Sequence, residues 1–250
     1  MDELPALPAY SGARETSPHP LLIGVSPGTT GTMSLYRALI MLNISTVHYT
    51  RLYNATTGAE ATSYDLDPPG GPVPLIRPLF RDSHPAPPVD LLKARTMDLR
   101  FLAATDALLD TPAMELTFDL LATFPDARVV LTVRDPLSWA RTRRARHPTD
   151  RVPLFESLGF DVTMAQLSEE QAATAFALWH RVAAASVAPE RLLVLDLFQM
   201  DAAELWGKLT RFVGKPLPLS PDGTLPPFPH YHYMEDIAVD AASALTARRG

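Results

Sequence analysis

Apolar residues along the chain gather in short runs separated by polar, turn-rich stretches. Four runs, LLIGV (21–25), ATDALLD (104–110), ARVVLTV (127–133) and RLLVLDL (191–197), are β-branched or leucine-rich without strict alternation. That pattern predicts strands covered on both faces, as in a parallel sheet. A shorter run, STVHYT (45–50), reads as a fifth strand. Between the runs the spacing becomes helical, over 32–42, 112–123, 136–146 and the alanine-rich 168–187. A last helix over 201–214 opens on Asp201 as N-cap and closes at Gly214 ahead of Pro216. Alternating β and α elements predict an α/β fold, with a central parallel sheet of about five strands and helices on both sides.

Two segments break this alternation. Residues 65–88 carry eight prolines and hold no regular helix. Residues 147–167 form a second, polar insert. In open α/β sheets ligands bind beyond the carboxyl ends of the strands, so both inserts are candidate covers for that crevice. The expected organisation is a loose N-terminal arm (1–20), a single domain (21–232) with inserts at about 51–90 and 147–167, and a C-terminal helix or tail (233–250). No internal repeat interrupts it.

Composition narrows the function classes. Hydrophobic residues make up 46% and charged residues 20%, ordinary values for a chain that buries a core. A net charge of −6 weighs against a general nucleic-acid binder, whose affinity depends on Lys and Arg. Any anion site must therefore be local. The absence of cysteine excludes a disulfide framework, Cys-ligated zinc and a thiol nucleophile. The acidic, proline-broken start lacks the basic-then-apolar order of a signal peptide, and no apolar run approaches the roughly 18 residues of a membrane span. A soluble, cytoplasmic protein is expected; its oligomeric state is left open.

Candidate chemistry begins at GVSPGTTGTMS (24–34). The glycines permit tight turns, and the following helix points its free N–H groups into the loop, an anion cradle supplemented by the hydroxyls of Thr29, Thr30, Thr32 and Ser34. A capped helix start is the plain structural alternative. The nucleotide-hydrolase pattern G-x-x-x-x-G-K-[ST] would place Lys after Gly31, where this chain has Thr32, which disfavours an ordinary ATPase or GTPase. In the second stretch, FPDARVVLTVRDPLSWARTRRARHP (124–148), Arg134 follows a strand and Asp135-Pro136 starts a helix. Thr142 lies eight residues after Arg134, and guanidinium plus hydroxyl can clamp one phosphate. The alternative is an Arg–Asp pair at a strand end, with Arg141, Arg143, Arg144 and Arg146 complementing a helix C-terminus.

Taken together, these stretches resemble the sulfotransferases that use 3′-phosphoadenosine 5′-phosphosulfate (PAPS), especially a family of compact, soluble sulfotransferase-like proteins. The resemblance is carried by TGTMSL (30–35), DALLDTP (106–112), PDARVVLTVRDPLSW (125–139), PERLLVLDL (189–197), LTRFVGKPLP (209–218) and PFPH (227–230), spanning roughly residues 20–232. It implies a three-layer P-loop-type fold and transfer of a sulfuryl group from PAPS to a hydroxyl or amine of a small-molecule acceptor, leaving adenosine 3′,5′-bisphosphate (PAP), with no metal. Thr29, Thr30, Gly31, Thr32, Met33 and Ser34 would cradle the 5′-phosphosulfate. Arg134 and Thr142, with Ser138 a weaker candidate, would hold the 3′-phosphate.

One position departs from the family pattern. Two residues before Gly31 the family places Arg or Lys, whose charge stabilises the departing bridging oxygen; this chain has Thr29. Arg37, Arg77 and Arg81 are candidate replacements. Asp110 is the first candidate for the general base, with capping of the helix from Pro112 as its structural alternative. His48 is the second, since imidazole suits base work near neutral pH, and His84 in the proline-rich segment is a third. His230 and His232, two apart, lack a nearby third metal ligand in sequence. Trp179 and Trp206 fall on helical core positions. Two alternatives stand beside the transferase: a non-catalytic PAPS- or PAP-binding relative, and an atypical P-loop kinase or hydrolase.

Overall fold

A computed structural model describes residues 20–63, 72–81 and 88–230. The expected arm, apart from residue 20, and the expected C-terminal tail lie outside the described residues, as do His84 and His232. One sheet contains β1 (Leu22–Gly24), β2 (Thr46–His48), β3 (Arg51–Asn54), β4 (Ala59–Thr62), β5 (Ala107–Leu109), β6 (Arg128–Val133) and β7 (Leu192–Asp196). Their order is β4-β3-β2-β5-β1-β6-β7. The five strands expected from the apolar runs pair in parallel, with β1 between β5 and β6.

Side chains alternate across these strands, which gives the sheet two apolar faces. Ile23, Leu108, Val129 and Leu131 enter one buried cluster, with Trp179 and Leu120. Leu22, Ala107, Leu109 and Val130 enter the other, with Leu35, Leu39 and Trp206. The helices are α1 (Thr32–Met41), α2 (Leu91–Thr96), α3 (Thr117–Thr123), α4 (Pro136–Arg146), α5 (Pro153–Ser157), α6 (Glu169–Ala185) and α7 (Ala202–Val213), of which α4 packs in a third buried cluster rather than in these two. Helix α7 starts and stops as its sequence predicts: the Asp201 carboxylate accepts the Glu204 N–H at 2.8 Å, and Gly214 closes it in the left-handed region.

Two local expectations change. The helix expected from residue 112 is regular only from Thr117. The chain leaves β5 through Asp110 at φ 60° and a cis Thr111–Pro112 bond, then makes turns in which the Asp110 and Pro112 carbonyls accept from Met114 and Leu116. The first insert begins with order: β3 and β4 form an antiparallel hairpin that extends the sheet beyond β2. Its turn is tied locally, with the Gly58 N–H donating to the Asn54 carbonyl at 2.8 Å. The second insert carries α5 and packs Val152 and Met164 against Trp139 and Phe176, whose rings stack at 4.3 Å.

Candidate active site

The loop from β1 to α1 is turned by two residues at positive φ, Thr29 (68°) and Gly31 (92°). Gly31 is needed twice, because a Cβ there would be strained and would meet the Leu197 side chain. Helix α1 has no side-chain cap and no acidic residue in its first turn, so no carboxylate of its own offsets the positive end of the helix facing the loop. The loop backbone is held from below. Ser26 Oγ accepts the Thr132 N–H (2.6 Å), the Trp179 indole donates to the Val25 carbonyl (2.9 Å), and the Trp139 indole donates to the Gly28 carbonyl (3.0 Å). Trp179 and Trp206 are fully buried, as their helical positions predict.

The loop hydroxyls divide by role. Thr29 Oγ1 donates to the Gly28 carbonyl at 2.6 Å. Thr30, wholly buried, is engaged with the Pro27 carbonyl and Thr132 Oγ1, both at 2.8 Å, so its side chain braces the loop. Met33 packs against the core, and Ser34 is buried in the first turn of α1. Thr32 differs: its hydroxyl reaches Asp110 Oδ2 at 3.2 Å and His48 Nε2 at 3.0 Å.

Thr32, His48 and Asp110 thus meet although they belong to α1, β2 and the end of β5. His48 Nε2 is 3.4 Å from Asp110 Oδ2. Burial holds the imidazole below its ordinary pKa, against the opposing pull of the Asp110 carboxylate, so the ring is neutral at pH 7. If the Thr32 hydroxyl gives its proton to Asp110, it must accept one from Nε2–H, which assigns the His48 tautomer. The other nitrogen, Nδ1, is buried without a hydrogen-bond partner. Asp110, the first candidate base, holds a left-handed backbone and a side chain 16% exposed. Helix α3 has no side-chain cap, so the capping alternative for Asp110 is not what its carboxylate does.

Across the loop, Arg134 collects the other expected residues. Its Nη2 donates to Ser138 Oγ (3.0 Å) and Thr142 Oγ1 (3.1 Å), and its Nη1 donates to the Thr29 carbonyl (3.1 Å). Asp135 caps α4 by accepting the Ser138 N–H at 2.7 Å, which fixes that hydroxyl relative to the strand end. Burial, with Arg146 nearby, lowers the Arg134 pKa, yet a guanidinium stays cationic at any working pH. The half-exposed Phe198 ring lies 4.8 Å below Arg134 Cζ, a cation–π contact made only by the fold.

The candidate cations for the Thr29 position resolve differently. Arg37 is engaged elsewhere, donating to Glu60 Oε2 at 2.7 Å in a group with Tyr36 and the buried Arg51. Arg81 lies in the field of Asp161, and no described contact takes Arg77 or Arg81 to the loop. Instead Arg143 lies on it: a Cβ at Gly28 would collide with Nη1 and stand 3.1 Å from Cζ. Arg143, Arg144 and Arg146 stand in the last turn of α4 and Arg141 and Arg146 are exposed, as the structural alternative expects, but three of the four arginines are also engaged. Arg141 pairs with Glu169 (2.9 Å), Arg143 with Asp150 (2.6 Å), and Arg144 donates to the Leu167 carbonyl.

Two further acids stand near Asp110, the buried Glu115 and, next to it, the half-buried Glu156. Glu115 accepts from Thr111 at 2.8 Å, and burial, with Glu156 nearby, pushes its carboxyl well above the usual range. Burial likewise pushes Glu156 up to about 7, opposed by Arg151 and Arg143. His230 is exposed, and among the described residues no group of three or more His, Cys, Asp or Glu side chains could hold a metal ion.

Sequence reasoning missed Trp139, Arg143 and Phe198. A signal existed for the first two: on a helix, Trp139 and Arg143 form an i, i+4 pair one position on from Ser138 and Thr142, hence a neighbouring stripe of the same helix. Nothing in the sequence pairs Phe198 with Arg134. No helix among the described residues is long and apolar enough to cross a membrane.

The profile of the sulfotransferase domain family matches residues 21–151, from β1 through the start of the second insert. The loop, His48, Asp110, Arg134, Ser138 and Thr142 all fall within that span. No curated protein matches the chain.

Proposed function

From the premise that this chain belongs to the sulfotransferase domain family, whose chemistry is sulfuryl transfer, we propose that its donor is PAPS and its acceptor the hydroxyl or amine of a small molecule. One observation carries the donor assignment. A single guanidinium, Arg134, spans the Thr29 carbonyl and the hydroxyls of Ser138 and Thr142, joining an anion clamp to the loop at the open end of α1. Such a cradle fits an anionic nucleotide with phosphates at both ends, and it asks for no metal.

In this reading the 29–34 backbone N–H groups and the Thr32 and Ser34 hydroxyls hold the 5′-phosphosulfate, with Thr30 bracing the loop and Met33 packing it to the core. Arg134, Thr142 and Ser138 hold the 3′-phosphate. Asp110 accepts the proton of the acceptor as its oxygen or nitrogen attacks sulfur. His48 is buried and already donates to Thr32, so it acts by orienting the Thr32–Asp110 pair. The second insert, reaching the site through Arg143 and Asp150, borders the acceptor side. The domain limits proposed are 21–232, with the segments 51–90 and 147–167 as its additions.

A second reading, binding of PAPS or PAP without turnover, is favoured by Thr29 alone, which leaves the loop without its own cation. Calorimetry with PAP and transfer of labelled sulfate from PAPS to a panel of phenols, alcohols and amines separate the two. Tight PAP binding that weakens by roughly 10²-fold in Arg134→Ala, together with transfer to at least one acceptor, is the expected result. Binding without transfer to any acceptor selects the second reading, and no binding at all rejects both.

A further inference from the structure

We propose that Arg143 is the cation of the phosphosulfate loop, supplied from α4 in place of the residue missing at Thr29; the proposal rests on the PAPS reading above. The first observation is steric. Gly28 is not among the glycines at positive φ, so its backbone does not require glycine. The space a Cβ would fill there is taken by the Arg143 guanidinium, so a side chain at 28 would push that guanidinium off the loop. The loop therefore gives up a side chain at residue 28, and the charge sits beside residue 29.

The second observation is the architecture of α4. Two adjacent stripes of this helix face the loop. Ser138 and Thr142 turn to Arg134, while Trp139 and Arg143 turn to Gly28, where the Trp139 indole is bonded to the Gly28 carbonyl at 3.0 Å. Trp139 is wholly buried and stacked on Phe176, which anchors the stripe of α4 that carries Arg143. Asp150 completes the orientation. It holds Nη2 at 2.6 Å and leaves the Nη1 edge turned to the loop. Arg143 is only 19% exposed, which limits screening of its charge by water.

The chemistry then balances. The acceptor oxygen or nitrogen forms a bond to sulfur, and its proton passes to the Asp110 carboxylate. The bond from sulfur to the bridging oxygen breaks, and its electron pair stays on that oxygen, now part of the 5′-phosphate of PAP. Arg143 stabilises that developing negative charge, an interaction stronger in the transition state than before it. A tethered Thr29 Oγ1, bonded to the Gly28 carbonyl, offers no such charge.

The test measures PAP affinity by calorimetry and release of labelled sulfate from PAPS to water or to a simple phenol, so that no natural acceptor is needed. Arg143→Gln is expected to lower the rate roughly 10²- to 10³-fold, the size of a lost transition-state donor, with PAP affinity changed less than about tenfold. Thr29→Arg added to Arg143→Gln is expected to restore much of that rate by returning the charge to the loop. Gly28→Ala, which displaces only the end of a flexible side chain, is expected to reproduce the rate loss while the melting temperature holds. An unchanged rate in Arg143→Gln, or a loss that Thr29→Arg leaves unrepaired, overturns the proposal while the donor reading stands. PAP binding by the wild type with no sulfate release also overturns it. No PAP binding by the wild type overturns the donor reading, and this one with it.

Discussion

At one end of the site, Arg134, Ser138 and Thr142 belong to a single strand–helix unit, eight residues from first to last, bonded at 3.0 and 3.1 Å. At the other end, Thr32, His48 and Asp110 come from α1, β2 and the end of β5, with Thr32 and Asp110 78 positions apart. The first end is set by local geometry. A strand stops, Asp135 caps a helix, and the i, i+4 spacing of that helix returns two hydroxyls to the guanidinium. The second exists only because β5 lies between β1 and β2, so that three carboxyl ends of neighbouring strands converge. Their electrostatics differ as well. Arg146 of α4 lies near Arg134 at the first end, while the carboxyl groups of Glu115 and Glu156 lie near each other, with Asp110 close to Glu115, at the second.

The two ends can be broken separately. The largest effect is expected from Asp110→Asn, which keeps shape and removes the base. Sulfuryl transfer should fall about 10²- to 10⁴-fold, the usual contribution of a positioned base, while PAP affinity measured by calorimetry stays within a few-fold. Arg134→Ala should do the reverse in kind. PAP binding weakens by roughly 10²-fold, since bonds to a charged group contribute about 1.5–3 kcal/mol, and the rate at saturating donor suffers less. Thr142→Val removes one hydroxyl from the same clamp and should weaken PAP by a factor of about 5 to 10, near 1 kcal/mol for one hydrogen bond. If Asp110→Asn weakened PAP as much as Arg134→Ala does, the separation of the two ends would be wrong.

The smallest effect concerns the acids and is read in stability rather than rate. Folding raises Glu156 from the ordinary 4.5 to about 7. Between those values the folded protein holds a proton that the unfolded chain releases, so this contribution is present below about pH 4.5 and lost as pH rises through about 7. Urea unfolding from pH 5 to 8 should therefore show a downward trend that Glu156→Gln makes shallower, the raised Glu115 carboxyl keeping part of it, with Arg151, Arg143 and Asp150 the other charged neighbours. His48 pulls the other way. Its folded pKa is lowered, so the stability it contributes is present above about 6.5 and is lost as pH falls below that value.

Much of the scaffold was legible because its signals are local. The runs at 21–25 and 127–133 are short and apolar, and they form strands buried in the middle of the sheet. The run at 191–197 also pairs in parallel, but as the edge strand β7 it leaves Val194 exposed, against the expectation of cover on both faces. Helix α4 runs from Pro136 to Arg146, as the Asp135-Pro136 start predicts. The hairpin of β3 and β4 was not legible: its strands are four residues each at the edge of the sheet, where one face need not be apolar. The late start of α3 was hidden as well, because Pro112 fits the first turn of a helix and the left-handed backbone of Asp110 leaves no mark in composition.

The sequence by itself determined the strand and helix alternation and the glycine-rich turn without a loop cation, and it put Arg134 and Thr142 within reach of each other. Each of these depends on neighbours within about ten residues, and backbone periodicity carries that information. Only the tertiary structure decided that Thr32 meets His48 and Asp110, that Arg37 is held by Glu60, and that Arg143 fills the space left open by Gly28. Those contacts join residues distant along the chain, and strand order and the packing of α4 on the loop bring them together, which no local pattern encodes.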